Sequence, residues 1–313
     1  MAKHQQSNAL YRIRFHGRGG QGVKTASRIL GQAFFLAGYE VQDAPRYGAE
    51  RRGAPIFAYV RASHDSIYER GIIRRPDLVV VTDETLVGIP SAGVLQGVTK
   101  TTAVLIHSKL AVEDWKKRYT PLEKVVILPP AETGCQALHL ESAACAGAAA
   151  CLTGVITRED LQHAIEEEFV GQKGSLVQAN LSRALDAYNQ MVPDSGLVIA
   201  GSGDQGTTPA SPDWIELPFE AANISAPSIH AALTSPQVTT GLWRTLRPVV
   251  DENSCRRCGL CSSYCPEGAI SLDNRGVPII DYVHCKGCLV CVTECPAHAI
   301  HPHPEPVPEG EQT

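Results

Sequence analysis

Eight cysteines of this chain stand in two short runs that share one spacing. In each run, two residues separate the first three cysteines, three residues separate the third from the fourth, and a proline follows. The runs are Cys255-Cys258-Cys261-Cys265-Pro266 and Cys285-Cys288-Cys291-Cys295-Pro296. Three thiolates at this spacing can hold three corners of one [4Fe–4S] cubane, and the fourth ligates a second cluster. The spacing therefore predicts two clusters and one-electron transfer.

Cross-ligation divides the eight cysteines into two predicted ligand sets. We expect one cluster on Cys255, Cys258, Cys261 and Cys295, and the other on Cys285, Cys288, Cys291 and Cys265. The runs are offset by 30 residues, and the same offset carries Ala269 and Ile270 onto Ala299 and Ile300. This duplication predicts two half-domains related by a pseudo-twofold axis. Each fourth cysteine is expected to begin a helix, with its proline at the first helical position.

Other uses of the cysteines fit less well. Zinc prefers paired CxxC knuckles that close each site with four ligands, and clustered cysteines in a cytosolic chain favour metal over disulfides. Cys135, Cys145 and Cys151 lack the cluster spacing, and we expect them to be thiols of a hydrophobic core.

A glycine-rich segment at residues 17–22 follows one predicted strand and opens a predicted helix. It satisfies the dinucleotide pattern G-x-G-x-x-G, with Asp43 near the expected position of a ribose-binding acid. It also imitates a phosphate-binding P-loop ending in Lys24, with an apolar strand ending in Asp83 as the magnesium acid. Val23, however, separates the last glycine from Lys24, which turns the lysine by about 100° around the helix.

The remaining interpretation of this loop is packing or contact. Its glycines allow tight backbone packing, or let Gly19, Gly20, Gln21 and Gly22 present amides to an anion or a partner protein. The arginine-rich segment 46–53 could clamp a phosphate or carboxylate, or form a rim of interface salt bridges. We favour the interface, with Arg51 among the contact residues.

The order of elements predicts an α/β domain with a mostly parallel sheet. Strands are expected at residues 11–15, 56–60, 78–82, 103–106 and 125–128, and helices at 23–37, 137–152, about 157–169 and 176–189. The expected organisation is an α/β domain at 1–192, an extended connector at 193–245, a small α+β ferredoxin domain of bacterial two-cluster type at 246–301, and a flexible tail at 302–313.

Charge and hydropathy limit the function further. Residues 1–250 carry 24 basic and 24 acidic side chains, whereas residues 251–313 carry 4 and 9, which accounts for the net charge of −5. An acidic module is a poor nucleic-acid binder. The sequence has no run of about 18 apolar residues, so we expect no membrane span. The polar N-terminus lacks a signal-like apolar region, and we expect a cytoplasmic location.

Several motifs together resemble the 2-oxoacid:ferredoxin oxidoreductases, the pyruvate synthase family. Residues 10–190 resemble the gamma component, through Gly-x-Gly-Gly-Gln-Gly at 17–22, Tyr-Gly-x-Glu-x-Arg-Gly at 47–53 and a Pro-Asp-apolar strand at 76–81. The rest resembles the delta component, with Trp-Arg-x-x-Arg-Pro at 243–248 and the two cysteine runs. Two positions depart from the family, which often has glycine where Ala54 and Leu289 stand. Leu289 is expected to alter only packing near a cluster.

The resemblance implies an electron-transfer subunit built by fusion of gamma and delta. It implies alpha and beta partner subunits that carry thiamine diphosphate, Mg²⁺ and a further [4Fe–4S] cluster, with external ferredoxin as the acceptor. It implies a pyruvate- or oxalate-class substrate, and the fused arrangement resembles oxalate oxidoreductase. Two alternatives stay open, an ATPase carrying a ferredoxin module and a non-catalytic ferredoxin adaptor.

Overall fold

The computed structural model of the chain describes residues 10–45, 53–119, 122–130, 138–202 and 239–306. These residues form two compact units, one ending at residue 202 and one covering residues 239–305. Each unit has its own hydrophobic core. No helix in the described ranges is both long and apolar enough to cross a membrane.

The first unit is built on one six-stranded sheet with strand order β2-β3-β1-β4-β5-β6. The strands are β1 (Tyr11–Arg18), β2 (Glu40–Pro45), β3 (Pro55–Ser63), β4 (Leu78–Val81), β5 (Ala103–His107) and β6 (Lys124–Leu128). Strands β1, β4, β5 and β6 are parallel, so the prediction of a mostly parallel sheet is confirmed. Strand β3, predicted only as residues 56–60, runs antiparallel to both β1 and β2. The connection 46–54 is too short for a parallel crossover, which needs roughly a dozen residues.

Both faces of the sheet are covered, which explains the continuous apolar runs in β4 and β5. Leu78, Val80 and Leu105 belong to one core, and their neighbours Val79 and Val81 belong to another. The first core contains residues of α1 (Val23–Leu36), α3 (Leu138–Thr153), α4 (Arg158–Glu168) and α5 (Gly174–Gln190), and the second contains Trp115 of α2 (Val112–Arg118). Successive strand residues face opposite layers, so every second residue packs on the same helices.

Two local features fix the helical layer. Helix α3 is rich in alanine and buried nearly throughout, as predicted, and a Cβ at Gly147 would lie 2.2 Å from the carbonyl oxygen of Ala184 in α5. Only glycine allows the two helices to approach this closely. Helix α4 begins with the predicted cap, because Thr157 and Asp160 form a reciprocal capping box.

The first unit continues beyond the predicted boundary at residue 192. The amide of Val198 donates to Leu152 O at 3.0 Å, and the amide of Gly201 donates to Leu10 O at 3.1 Å. Val198 is 3% exposed. Residues 193–202 therefore pack on the α/β unit instead of beginning an extended connector, and residues 203–238 lie outside the described ranges.

The second unit has two nearly identical halves, as the duplication predicted. Its elements are β7 (Leu246–Val250), α6 (Leu260–Ser263), β8 (Ile270–Leu272), β9 (Pro278–Ile280), α7 (Val290–Thr293) and β10 (Ile300–Pro304). Strand β7 pairs antiparallel with β10, and β8 with β9. The amide of Asp251 donates to Ala299 O, and that of Asp281, 30 residues later, donates to Ala269 O, both at 2.8 Å. Each half thus supplies the same bond to the other.

Two expectations about this unit differ from the structure. Cys265 and Cys295 follow the short helices α6 and α7 instead of beginning helices, because each proline comes in the turn that leads into the next strand. Residues 302–304, predicted as flexible tail, form β10 together with His301 and pair with β7. The unit also begins earlier than residue 246, since Gly241 donates its amide to Val283 O at 2.7 Å.

Candidate cluster-binding site and glycine loop

Each cysteine loop turns through positions with left-handed backbone at equivalent places in the two halves. Paired positions, with φ in parentheses, are Arg257 (57°) and Gly287 (67°), Gly259 (74°) and Leu289 (63°), and Gly268 (62°) and His298 (49°). In every pair one half has glycine, and the other half has a residue with a Cβ, whose backbone is sterically strained in this conformation. The strain in a residue with a Cβ is about 1–2 kcal/mol. Leu289 therefore changes more than local packing, which corrects the expectation from the sequence.

The first predicted ligand set lies around one pocket. Cys255, Cys258, Cys261 and Cys295 all line it, so the fourth residue comes from the other half, as cross-ligation requires. The backbone amide of Arg257 approaches Cys255 Sγ at 3.4 Å, and that of Ala299 approaches Cys295 Sγ at 3.2 Å. N–H groups directed at sulfur stabilise negative charge on the ligands and tune the potential of a cluster.

The cysteines of the second predicted ligand set lie near one another, and Cys261 of the first set is also a charged neighbour of Cys291. Burial, followed by the negative charge of Cys285, Cys288 and Cys265, raises the pKa of Cys291 to about 12. Burial likewise raises the pKa of Cys285, whose charged neighbours include Cys265 and Cys288. With pKa values raised in this way the groups are neutral thiols by themselves, and a bound metal would deprotonate them as its ligands.

Four of the predicted ligands also belong to the core of the second unit or pack against it. Cys261, Cys291, Ile270 and Ile300 form its buried cluster, and Cys265 and Cys295 are among the partly buried residues packed against it. In the described ranges, no three His, Cys, Asp or Glu side chains are close enough to hold a single metal ion. The all-sulfur donor set around a pocket fits a larger inorganic centre, and a [4Fe–4S] group supplies one-electron redox chemistry there.

A segment before β7, residues 240–246, covers the second cysteine loop; we call it the lead-in. Arg244 donates to Cys285 O at 2.7 Å and forms a two-pronged ion pair with Glu305, with both N–O distances 2.8 Å. A Cβ at Gly287 would lie 2.4 Å from the carbonyl oxygen of Leu246. Lys286 Nζ lies 5.2 Å from the ring centre of Trp243. The lead-in therefore packs on the second cysteine loop, and this breaks the symmetry between the two halves.

The glycine loop of the first unit is held by an internal network around Asp83. Arg18, 1% exposed, contacts Asp83 Oδ2 through Nε at 3.1 Å, and Gln21 Nε2 donates to the same oxygen at 2.7 Å. Arg18 also donates to the Thr85 hydroxyl at 2.6 Å. Asp83, the acid at the position of a magnesium ligand, is thus neutralised by Arg18 of the loop itself, which argues against the P-loop interpretation.

Some of the predicted contact residues of this loop already use their backbone amides in hydrogen bonds within the protein. The Gly19 amide donates to Ala54 O at 2.8 Å, and the Gln21 amide donates to Arg18 O at 3.0 Å. Gly20 and Gly22 have left-handed backbone, with φ of 91° and 74°. Arg51 and its neighbours at 46–52 lie outside the described residues. An anion or partner contact by this loop stays a prediction.

The dinucleotide interpretation fails on topology. In that fold the strand bearing the acid lies beside the first strand. Here β3 lies between β1 and β2, and Asp43 of β2 accepts a hydrogen bond from Ser27 Oγ at 3.0 Å. Burial raises the pKa of this carboxyl.

A polar triad at the carboxyl end of β5 escaped the sequence analysis. Glu141 Oε2 lies 2.9 Å from both His107 Nε2 and Arg183 Nη2. Burial alone would raise the pKa of Glu141, but His107 and Arg183 outweigh it and lower the pKa to about 2. The three residues come from separate elements and follow no motif, so no sequence signal joins them.

The other cysteines behave as predicted where the structure describes them. Cys145 and Cys151 are buried in the first core, and burial raises the pKa of Cys145 to about 12. Cys135 lies outside the described residues.

Comparison with known proteins gives separate matches for the two units. Residues 12–190 match the family described as pyruvate ferredoxin/flavodoxin oxidoreductase, and residues 254–308 match the 4Fe-4S dicluster domain. The chain is 38% identical over 185 residues to pyruvate synthase subunit PorC of Methanocaldococcus jannaschii, covering 59% of this chain and 98% of that protein. It is 34% identical over 181 residues to the common gamma subunit of the pyruvate/ketoisovalerate oxidoreductases of Pyrococcus furiosus, covering 57% and 95%.

The comparison with solved structures also gives a match. The crystal structure of pyruvate oxidoreductase subunit PORC from Thermotoga maritima has 28% identity and a TM-score of 0.48, covering 58% of this chain and 96% of that one.

Proposed function

Since the chain belongs to the pyruvate ferredoxin/flavodoxin oxidoreductase family, we propose that it is the fused gamma–delta electron-transfer subunit of a 2-oxoacid:ferredoxin oxidoreductase. Electrons from oxidative decarboxylation pass one at a time through two [4Fe–4S] clusters of this chain to external ferredoxin. The observation that carries the proposal is that Cys255, Cys258, Cys261 and Cys295, which come from both cysteine runs, line one pocket in a chain that also holds the gamma-like domain.

The residues of this chain bind, insulate and connect the clusters. Cys255, Cys258, Cys261 and Cys295 hold the first cluster, and Cys285, Cys288, Cys291 and Cys265 hold the second. Because Cys265 and Cys295 each connect one half's loop to the other half's cluster, the protein ties the two redox centres together covalently. The lead-in covers part of the second loop, where Cys285 is buried and Cys288 is exposed, and solvent exposure is one of the factors that set a cluster's potential.

The chemistry on the oxoacid belongs to partner subunits in this proposal. Alpha and beta subunits carry thiamine diphosphate, Mg²⁺ and a further [4Fe–4S] cluster, and thiamine diphosphate supplies the decarboxylation chemistry. The substrate is of the pyruvate or oxalate class, and the fused gamma–delta arrangement favours testing oxalate without CoA. The glycine loop, with Gly19, Gly20, Gln21, Gly22 and Arg51, is the proposed contact with a partner or an anion.

The experiment is an anaerobic assay of the purified native complex. Reduction of methyl viologen is measured with pyruvate, 2-oxoglutarate and oxalate, each with and without CoA, and the iron of this chain is counted. We expect turnover with one oxoacid and eight irons in this chain, with no decarboxylation by the isolated chain. A fully iron-loaded complex that oxidises none of the three acids would contradict the proposal and favour the adaptor alternative.

The ATPase alternative has a separate test. ATP binding by this chain that is lost on Lys24→Ala would revive it. The Arg18–Asp83 ion pair argues for no such binding, because it occupies the acid that a nucleotide-bound magnesium would need.

A further inference from the structure

Two arginines are the exposed cations without an ion pair among the described residues of the acidic stretch 251–306. Residues 251–313 contain four basic side chains against nine acidic ones. Arg275 Nε lies 3.2 Å from Asp273 Oδ2, and Lys286 Nζ lies 2.5 Å from Glu267 Oε1. The other two, Arg256 and Arg257, are exposed, and their side chains form no ion pair with any described residue.

These arginines lie directly beside the first cluster site. They stand between Cys255 and Cys258 and line the same pocket as the four ligands of that site. The equivalent residues of the other half, Lys286 and Gly287, are only partly exposed because the lead-in packs over them. The pseudo-twofold module is therefore asymmetric, with one loop covered and neutralised and the other open and positive.

Arg257 has a left-handed backbone conformation, which is strained for a residue with a side chain. Its φ is 57°, and the equivalent position of the second loop has Gly287, which accepts this conformation freely. Left-handed backbone strains an arginine by about 1–2 kcal/mol. Leu289 and His298 have comparable strain, so it is the exposure of Arg257 and its place beside the first cluster site that point to a use for its side chain.

We propose that the open loop with Arg256 and Arg257 is the docking surface for an acidic one-electron carrier protein, so that electrons leave through the first cluster. This inference rests on the proposed function and names the contact by which it delivers electrons. A carrier whose clusters have four thiolate ligands is itself rich in negative charge. Such a protein is repelled by the acidic remainder of the module and attracted to this one positive spot, which steers it toward the cluster.

The test compares two variants with a control of matched charge. Arg256→Glu/Arg257→Glu reverses the surface, and Arg256→Gln/Arg257→Gly neutralises it with the residue that the second loop already has at the strained position. Lys116→Glu/Lys117→Glu makes the same change in net charge on exposed residues of α2, in the other unit. All are made in the intact complex, with iron content and assembly measured first.

We expect the charge-reversed complex to need roughly tenfold or more ferredoxin for half-maximal rate, and the neutral variant to need several-fold more. Reduction of methyl viologen, a small cation that needs no docking surface, is measured in each variant, and the expected rise in the ferredoxin requirement is the part that exceeds any change in the methyl viologen rate. High salt should weaken ferredoxin reduction in the wild type and have less effect in the neutral variant. If the charge-reversed chain loses iron, the neutral variant, with its unstrained glycine, decides the outcome.

Three results overturn the proposal: an unchanged KM for ferredoxin, an equal rise in KM in the α2 control, or failure of the arginine variants to assemble, which would make this loop a subunit contact. Stopped-flow measurement of electron transfer from the dithionite-reduced complex to oxidised ferredoxin reports on docking without any oxoacid turnover. A complex that passes electrons to ferredoxin in an arginine-dependent way but oxidises no oxoacid would therefore contradict the proposed function alone.

Discussion

Replacing Gly287 by alanine should detach the lead-in from the second cysteine loop. The residue has φ of +67°, and the new Cβ would lie 2.4 Å from Leu246 O and 2.7 Å from Arg244 Cγ. Left-handed strain costs about 1–2 kcal/mol. Displacing a packed backbone segment adds about 1–3 kcal/mol, as for other overpacked sites. The expected destabilisation is therefore about 2–5 kcal/mol.

Gly268→Ala is the control that separates the two costs. Gly268 has a nearly equal φ of +62°, but nothing lies within 4 Å of its added Cβ. It should lose only the strain contribution. Denaturant unfolding under anaerobic conditions, followed by cluster absorbance, should place Gly287→Ala about 1–3 kcal/mol below Gly268→Ala. Equal midpoints for the two variants would refute the contact between the lead-in and the second loop.

Three further changes test other parts of the structure. Arg18→Ala should destabilise the α/β unit by about 3–5 kcal/mol, because the buried carboxylate of Asp83 keeps its hydrogen bonds from Gln21 and Thr85 but loses the arginine that neutralises it. Adding Asp83→Asn should restore most of that loss in thermal unfolding, and a loss that the second change does not restore would contradict the pairing. Folding lowers the pKa of Glu141 to about 2, so its ionised carboxylate stabilises the folded state at any pH above its ordinary pKa. About 3 kcal/mol of this stabilisation is lost as the pH falls from about 5 toward 2. Glu141→Gln should flatten that acid limb, and identical pH slopes would count against the triad. Removing the clusters with ferricyanide and a chelator should unfold the second unit, whose core contains the ligands, while far-UV circular dichroism of the α/β unit persists; a second unit that keeps its protection from proteolysis without iron would refute this.

Residues whose constraints are local were predictable from the sequence. The cysteine spacing follows from the geometry of one loop around one cluster, and the cap at Thr157 and Asp160 follows from a single helical turn. The alanine-rich α3 was recognisable because an all-round apolar helix has to be buried. These features depend on neighbours within a few residues.

Features set by distant partners were not predictable in the same way. The antiparallel position of β3 depends on a short connection and on pairing with β1, and Arg18 reaches Asp83 across 65 residues. The strain at Arg257 and Leu289 is visible only once the backbone of both halves is known, although aligning the repeats places a glycine opposite each. The motif at residues 243–248 was recognised in the sequence, but the cover of the lead-in, residues 240–246, over the second loop required the structure.

The central claim is that oxoacid electrons enter two crossed clusters in this chain. It is tested most directly by electron paramagnetic resonance of the complex, frozen after addition of its oxoacid and without acceptor, in the wild type and in Cys265→Ala. The account predicts signals from two reduced clusters of this chain in the wild type, and loss of the second cluster together with slower ferredoxin reduction in the variant. The claim would be contradicted if no oxoacid produced signals from reduced clusters of this chain. It would also be contradicted if the variant kept both clusters and full ferredoxin reduction.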